Sequence, residues 1–295
     1  MKRMTAKLAL AAAVLVATGT ACTLDHVTSP DRHAGTAGVS ALRATHARDD
    51  VGSVRSQGEV FRGACDIRAA VEAFRAALGT LNPNLPGSVG SGRREINWDA
   101  VPAQLTNVDN FPVDFFNQPA PGRARGVVFS TPGSGFRTSD TSFVDVNPTY
   151  ASEFQFFSPV KTFMSVQSNV TSVQIFVPGS GTPATSTGFG VVFSDVDHPG
   201  SAKLRLFDAA GRNLGTYLAP ACPGGLSFVG VRFPESIVAR VEIVSGQAAL
   251  GPESFDVSSA TLGPARDLVV MDDFLYGEPI AVPSQTGAVA ATGLR

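Results

Sequence analysis

Ile237-Val238-Ala239-Arg240-Val241-Glu242-Ile243 sets Ile237, Ala239, Val241 and Ile243 at alternate positions, with Arg240 and Glu242 between them. That period of two reads as a strand with one face in the core and one in water. Ala202-Lys203-Leu204-Arg205-Leu206-Phe207 alternates the same way. Working outward, β-rich stretches bounded by turns predict further strands at 126–130, 153–158, 161–166, 172–177, 189–195, 213–218, 226–233 and 268–276. Pro178-Gly179-Ser180-Gly181, Asp208-Ala209-Ala210-Gly211 and Pro223-Gly224-Gly225 are the turn chemistry between them. About ten short strands with no interleaved helices predict an all-β chain, a jelly-roll-like antiparallel β-sandwich.

One stretch has the other period. Ile67, Val71, Phe74, Leu78 and Leu81 share one face of a helix predicted over 66–81, with Asp66 as N-cap and Gly79 with Asn82-Pro83 as the stop. A single amphipathic helix cannot bury its own stripe, so it is expected to pack on the sheets. Composition agrees: Gly 30, Pro 20 and Phe 20 suit many turns and a β-rich core. A net charge of −2 and only 16% charged residues leave no basic stripe, which excludes nucleic acid as a partner.

The N-terminus reads as an export signal over 1–22. A basic head, Met1-Lys2-Arg3-Met4-Thr5-Ala6-Lys7, precedes an apolar run, Leu8-Ala9-Leu10-Ala11-Ala12-Ala13-Val14-Leu15-Val16-Ala17. Thr18-Gly19-Thr20-Ala21-Cys22 ends it in one of two ways. Gly19 and Ala21 suit ordinary signal peptidase, giving a secreted or periplasmic protein. The same residues resemble a lipobox in which Cys22 is lipidated, giving an envelope lipoprotein held on the membrane by its lipid. Gly19 stands where a lipobox usually has an aliphatic residue. If Cys22 carries lipid, Cys65 and Cys222 remain as a disulfide pair or as two thiols. Residues 23–58 read as a flexible tether, 59–279 as one domain, and 280–295 as a loose tail.

Catalytic signatures are scarce. The predicted domain holds one histidine, His198, and no nucleophile elbow, phosphate loop or zinc spacing. Carboxylates are the better candidates. Asp195 and Asp197 end one strand on the same side, as two Ca²⁺ ligands from one segment must. Asp272 and Asp273 lie inside the last strand and are expected on opposite faces, which calls for either Ca²⁺ or a clamp of backbone N–H groups. Asp145 and Asn147 are further oxygen donors. The competing reading is that these aspartates cap turns. Trp98 offers a ring for stacking on a sugar, or fills the core. Glu95, Asp99, Glu153 and Asp273 are formally available for glycoside hydrolysis, with no spacing that singles out a pair.

Four phrases carry a resemblance. They are Ser91-Gly92-Arg93-Arg94-Glu95-Ile96-Asn97-Trp98-Asp99, Arg125-Gly126-Val127-Val128-Phe129-Ser130-Thr131-Pro132-Gly133, Gly188-Phe189-Gly190-Val191-Val192-Phe193-Ser194-Asp195-Val196-Asp197 and Val270-Met271-Asp272-Asp273-Phe274-Leu275-Tyr276-Gly277-Glu278-Pro279. Together they resemble an uncharacterised family of bacterial exported β-sandwich domains, some of whose members carry PEP-CTERM sorting tails. The resemblance implies an extracytoplasmic sandwich and no activity. Three functions stay open: a binding module for a glycan or an envelope protein, a carbohydrate-active hydrolase on the same fold, and a structural envelope component.

Overall fold

The computed structural model describes residues 57–257 and 266–283. The predicted signal, Cys22 and nearly all of the predicted tether lie outside them. In chain order the elements are β1 (Glu59–Ala64), α1 (Arg68–Leu78), β2 (Arg93–Ile96), β3 (Val127–Ser130), β4 (Gly135–Ser139), β5 (Thr162–Val166) and β6 (Val170–Ile175). There follow β7 (Ala184–Thr185), β8 (Gly188–Val196), β9 (Lys203–Phe207), β10 (Asn213–Leu218), β11 (Cys222–Arg232), β12 (Arg240–Val244), β13 (Val270–Gly277) and β14 (Ile280–Ala281).

Two antiparallel sheets form the sandwich. One runs β1-β11-β8-β13-β5-β4, with β2 also paired to β13; the other runs β10-β9-β12-β6-β3. Eight of these strands define a jelly roll. The order β5-β13-β8-β11 faces β6-β12-β9-β10, so the chain winds between sheets as two interlocked Greek keys. β1, β2, β3 and β4 add to this frame, and β7 pairs β14 separately.

Burial follows from the layering. β8 and β13 are covered on both faces and every residue of each is buried, which is why they read as near-continuous apolar runs. β9 and β12 have one wet face and keep strict alternation. The core between the sheets is rich in phenylalanine, with Trp98 stacked on Phe163 at 3.8 Å and edged by Phe116 and Phe274.

The helix docks on the outer face of the first sheet. Ile67, Val71, Phe74 and Leu78 are buried there with Phe61, Val192, Phe228 and Leu275. Gly190 and Gly230 pair across β8 and β11 beneath the Phe74 ring; a Cβ at Gly190 would stand 2.7 Å from it. The two glycines let the helix approach closely. Next to this helix, Cys65 and Cys222 form a disulfide. It closes a loop of 157 residues, with a nominal entropic stabilisation of roughly 5 kcal/mol.

Several boundaries differ from expectation. The helix is shorter than 66–81: Asp66 pairs with Arg68 outside it, no side chain caps it, and Leu81 lies beyond its end, half exposed. Residues 153–158 form no strand; they run as a loop whose N–H groups at Gln155 and Phe157 bond Ser194 of β8 and Asp272 of β13. The phase of 237–243 changes before β12, so Val238 is buried in place of Ile237 and Ala239. β1, β2, β4, β7 and β14 were not expected. β14 places Ile280 and Ala281 in the fold, inside what reads as tail.

Candidate functional site: an acidic pocket at one end of the sandwich

β8 and β11 run side by side from Gly188 and Arg232 at one end to Val196 and Cys222 at the other. Between Cys222 and Leu226 the register slips, and Pro223, Gly224 and Gly225 bulge out beside Asp195. Gly224 adopts φ +65°, open to glycine at no steric cost, and its N–H donates to Asp195 Oδ1 at 2.7 Å. Asp195 itself sits at φ +68°, a left-handed conformation that aspartate tolerates better than most residues. The disulfide fixes the first residue of this bulge.

Other loops at this end bring the remaining carboxylates. Glu153 follows a short 3-10 turn (Pro148–Ser152), and Asp197 follows β8. Asp256 and Asp267 come from the β12–β13 connection. Asp256 Oδ1 accepts from the Leu268 N–H at 2.9 Å, and Asp267 Oδ2 accepts from the His198 N–H at 3.0 Å. Carboxylate oxygens of Glu153, Asp195 and Asp256 lie within 4.8 Å of one another, as do those of Asp197, Asp256 and Asp267. A pocket of about 390 Å³ opens here, with Glu153, Asp195 and Asp197 in its wall and exposed His198, Pro223 and Gly224 at its rim.

The electrostatics are unbalanced. Asp195 is 2% exposed and Asp267 0%, yet Asp195 Oδ2, Asp197 Oδ2 and Asp267 Oδ1 have no hydrogen-bond partner among the described residues. Burial, reinforced by the Asp256, Asp197 and Glu153 carboxylates and opposed by the Gly224 N–H, pushes Asp195 up to about 8. Burial and the neighbouring Asp256 and Asp267 take Asp197 to about 6, and burial raises Asp267 as well. Each of these carboxyls resists ionising unless a positive charge joins it.

Asp272 and Asp273 do not join Asp195 and Asp197 in one site. β13 carries a bulge between Met271 and Phe274, where two residues oppose one of β8. The bulge corrects the expected opposite orientation: Ser158 Oγ contacts Asp272 Oδ1 at 2.9 Å and Asp273 Oδ1 at 3.0 Å. The Phe157 N–H donates to Asp272 Oδ2 at 2.8 Å. A hydroxyl has one proton to give, so Ser158 satisfies both carboxyls only when one is protonated and donates to it. Burial pushes both upward, Asp273 the further, to about 8, with the Asp272 charge adding to it. One backbone N–H and one hydroxyl hold the pair, where a clamp of several backbone N–H groups was one of the two expectations.

Trp98 is likewise corrected. It is 0% exposed and its indole N–H donates to the Asp272 carbonyl at 2.9 Å, so no sugar can stack on it. Asp145 pairs with Arg137, and Asn147 donates to the Pro252 and Ser254 carbonyls. Of the carboxylates open to a hydrolase, Glu95 is held by Arg75 and Arg93, and Asp99 accepts from the Lys161 N–H. The sequence reading missed Asp256 and Asp267; each stands alone in its segment, and only the topology brings them to Asp195.

Fold and site together define an all-β jelly-roll domain with an open acidic pocket at one end. No family model, curated protein or solved structure matches the chain.

Proposed function

We propose that the chain is an exported envelope lipoprotein whose jelly roll is a calcium-dependent binding module. The observation that carries this reading is the acidic pocket, with buried carboxylate oxygens that lack partners. Hard oxygen donors from several loops are what Ca²⁺ takes, in sets of six to eight with water or ligand completing the shell. A cation in a pocket open to solvent keeps positions for the hydroxyls of a glycan, which makes a glycan the ligand class. The carboxylates crowd in two overlapping groups of three, each with oxygens within 4.8 Å, which suits the holding of a cation.

The chain enters the domain at β1 beside Arg232, and the pocket lies at the far end of the same strands. From Gly188 to Asp195 the strand rise puts it on the order of 20 Å away. No helix among the described residues is long and apolar enough to cross a membrane.

Thermal melts in excess Ca²⁺ and in EDTA test the cation, and a glycan array read under both conditions tests the ligand. A Ca²⁺-dependent rise in Tm with EDTA-sensitive glycan binding is expected. An unchanged Tm counts against the cation; glycan binding in neither condition removes the glycan. Mass spectrometry of the mature N-terminus tests Cys22: a diacylated cysteine is expected, and an unmodified one leaves a secreted protein.

A further inference from the structure

We infer that the acidic pocket holds two divalent cations, with Asp256 shared between them; this rests on the calcium-dependent reading above and fixes how many ions it requires. The five carboxylates fall into two groups of three, Glu153, Asp195 and Asp256 in one and Asp197, Asp256 and Asp267 in the other. Only Asp256 belongs to both.

Each group includes a carboxylate with an orphaned oxygen. In the first it is Asp195 Oδ2; in the second, Asp267 Oδ1 together with Asp197 Oδ2. Asp195 and Asp267 are both almost wholly buried, so water does not compensate these atoms at the surface. A buried oxygen without a partner is costly and calls for a specific explanation. One ion among the first group would leave the orphans of the second where they are.

The surroundings orient these atoms. The Gly224 N–H ties Asp195 Oδ1 and the His198 N–H ties Asp267 Oδ2, so in each residue one oxygen is fixed by the backbone and the other is left for a ligand. This is the arrangement by which outer hydrogen bonds position metal ligands. A carboxylate common to two donor sets is how proteins seat paired cations about 3.5–4 Å apart. Neither donor set contains a thiol or an imidazole, and carboxylate-only ligation selects calcium over zinc.

The test counts ions. Ca²⁺ is titrated calorimetrically into the full chain after chelation, and bound calcium is measured by mass spectrometry after dialysis. Two ions per chain are expected, one in Asp197→Asn, and loss of both in Asp256→Asn. The asparagine variants keep shape and remove charge, and melts in EDTA verify their folding; the wild-type count stands without them. One ion per wild-type chain overturns the pair and leaves calcium-dependent binding intact. No ion overturns both. Two ions that survive Asp256→Asn overturn the shared ligand.

Discussion

The two ends of this sandwich both bury charge and treat it in opposite ways. At the end where the chain enters, Arg94 and Glu278 are 0% and 1% exposed and form a bidentate pair at 2.7 and 2.8 Å. Arg94 also donates to the Leu85, Gly87 and Ala124 carbonyls, and Glu278 accepts from Asn82 and the Val89 N–H. The charges of this pair are balanced and their polar atoms are occupied. At the far end, carboxylates are buried to a similar degree with oxygens unpartnered. Burial alone therefore does not distinguish a structural charge from a functional one. Completeness does: the Arg94–Glu278 pair is closed by the chain itself, whereas the pocket carboxylates keep oxygens without a partner.

The largest effect is expected at the closed end. Arg94→Ala leaves Glu278 buried without its cation and should cost about 3–5 kcal/mol in denaturant melts. A loss below about 1 kcal/mol would mean that Glu278 relaxes to water and that this end is not closed. At the other end the same kind of change should be mild. In EDTA, Asp195→Asn should keep wild-type stability within about 1 kcal/mol, because asparagine tolerates the left-handed φ and brings no buried charge. It should abolish the gain from Ca²⁺, which at a hundredfold excess over Kd is about 2.7 kcal/mol in wild type. Equal destabilisation of Arg94→Ala and Asp195→Asn in EDTA would erase the contrast.

Between the two ends lies the Asp272–Asp273 pair, completed by a proton. Its folded-state pKa values are raised above the ordinary 3.8, so the folded pair keeps a proton that the unfolded chain has released. The stability this contributes is full below about pH 4 and is lost as pH rises toward 8, by about 1.4 kcal/mol per pH unit per retained proton. Glu95 and Arg125 face the same carboxyl, with opposing effects on it. In saturating Ca²⁺, Asp273→Asn should flatten the decline between pH 5 and 8; an unaltered slope would assign it to other groups. The smallest effect belongs to a solvated pair. Arg205→Ala, which breaks the contact with Glu242 across the wet face of β9 and β12, should cost only about 0.2–1 kcal/mol.

Much of this architecture was legible in the sequence, and the reasons are specific. Half-buried strands such as β9 and β12 print their alternation, and β8 and β13 print an apolar run because both faces are covered. β2 and β4 were illegible: Arg93-Arg94 and Arg137 look like surface residues until their partners, Glu95, Glu278, Asp109 and Asp145, are folded onto them. Residues 153–158 begin to alternate like a strand because Phe154 and Phe156 flank Gln155, yet they pack from a loop. At the site, Asp195 and Asp197 announced themselves by spacing. Asp256 and Asp267 did not, since no local pattern marks a carboxylate whose partners lie far along the chain. The bulge that turns Asp272 and Asp273 to one side left no trace beyond two acids in an apolar run.

The most direct test is anomalous diffraction from crystals of the protein grown in saturating Ca²⁺. The account predicts anomalous density among Asp195, Asp197, Asp256 and Asp267, with carboxylate oxygens at about 2.3–2.6 Å, and none at Arg94–Glu278 or Asp272–Asp273. An ordered pocket with no anomalous density, its carboxyls hydrogen-bonded to water or to each other, would contradict it.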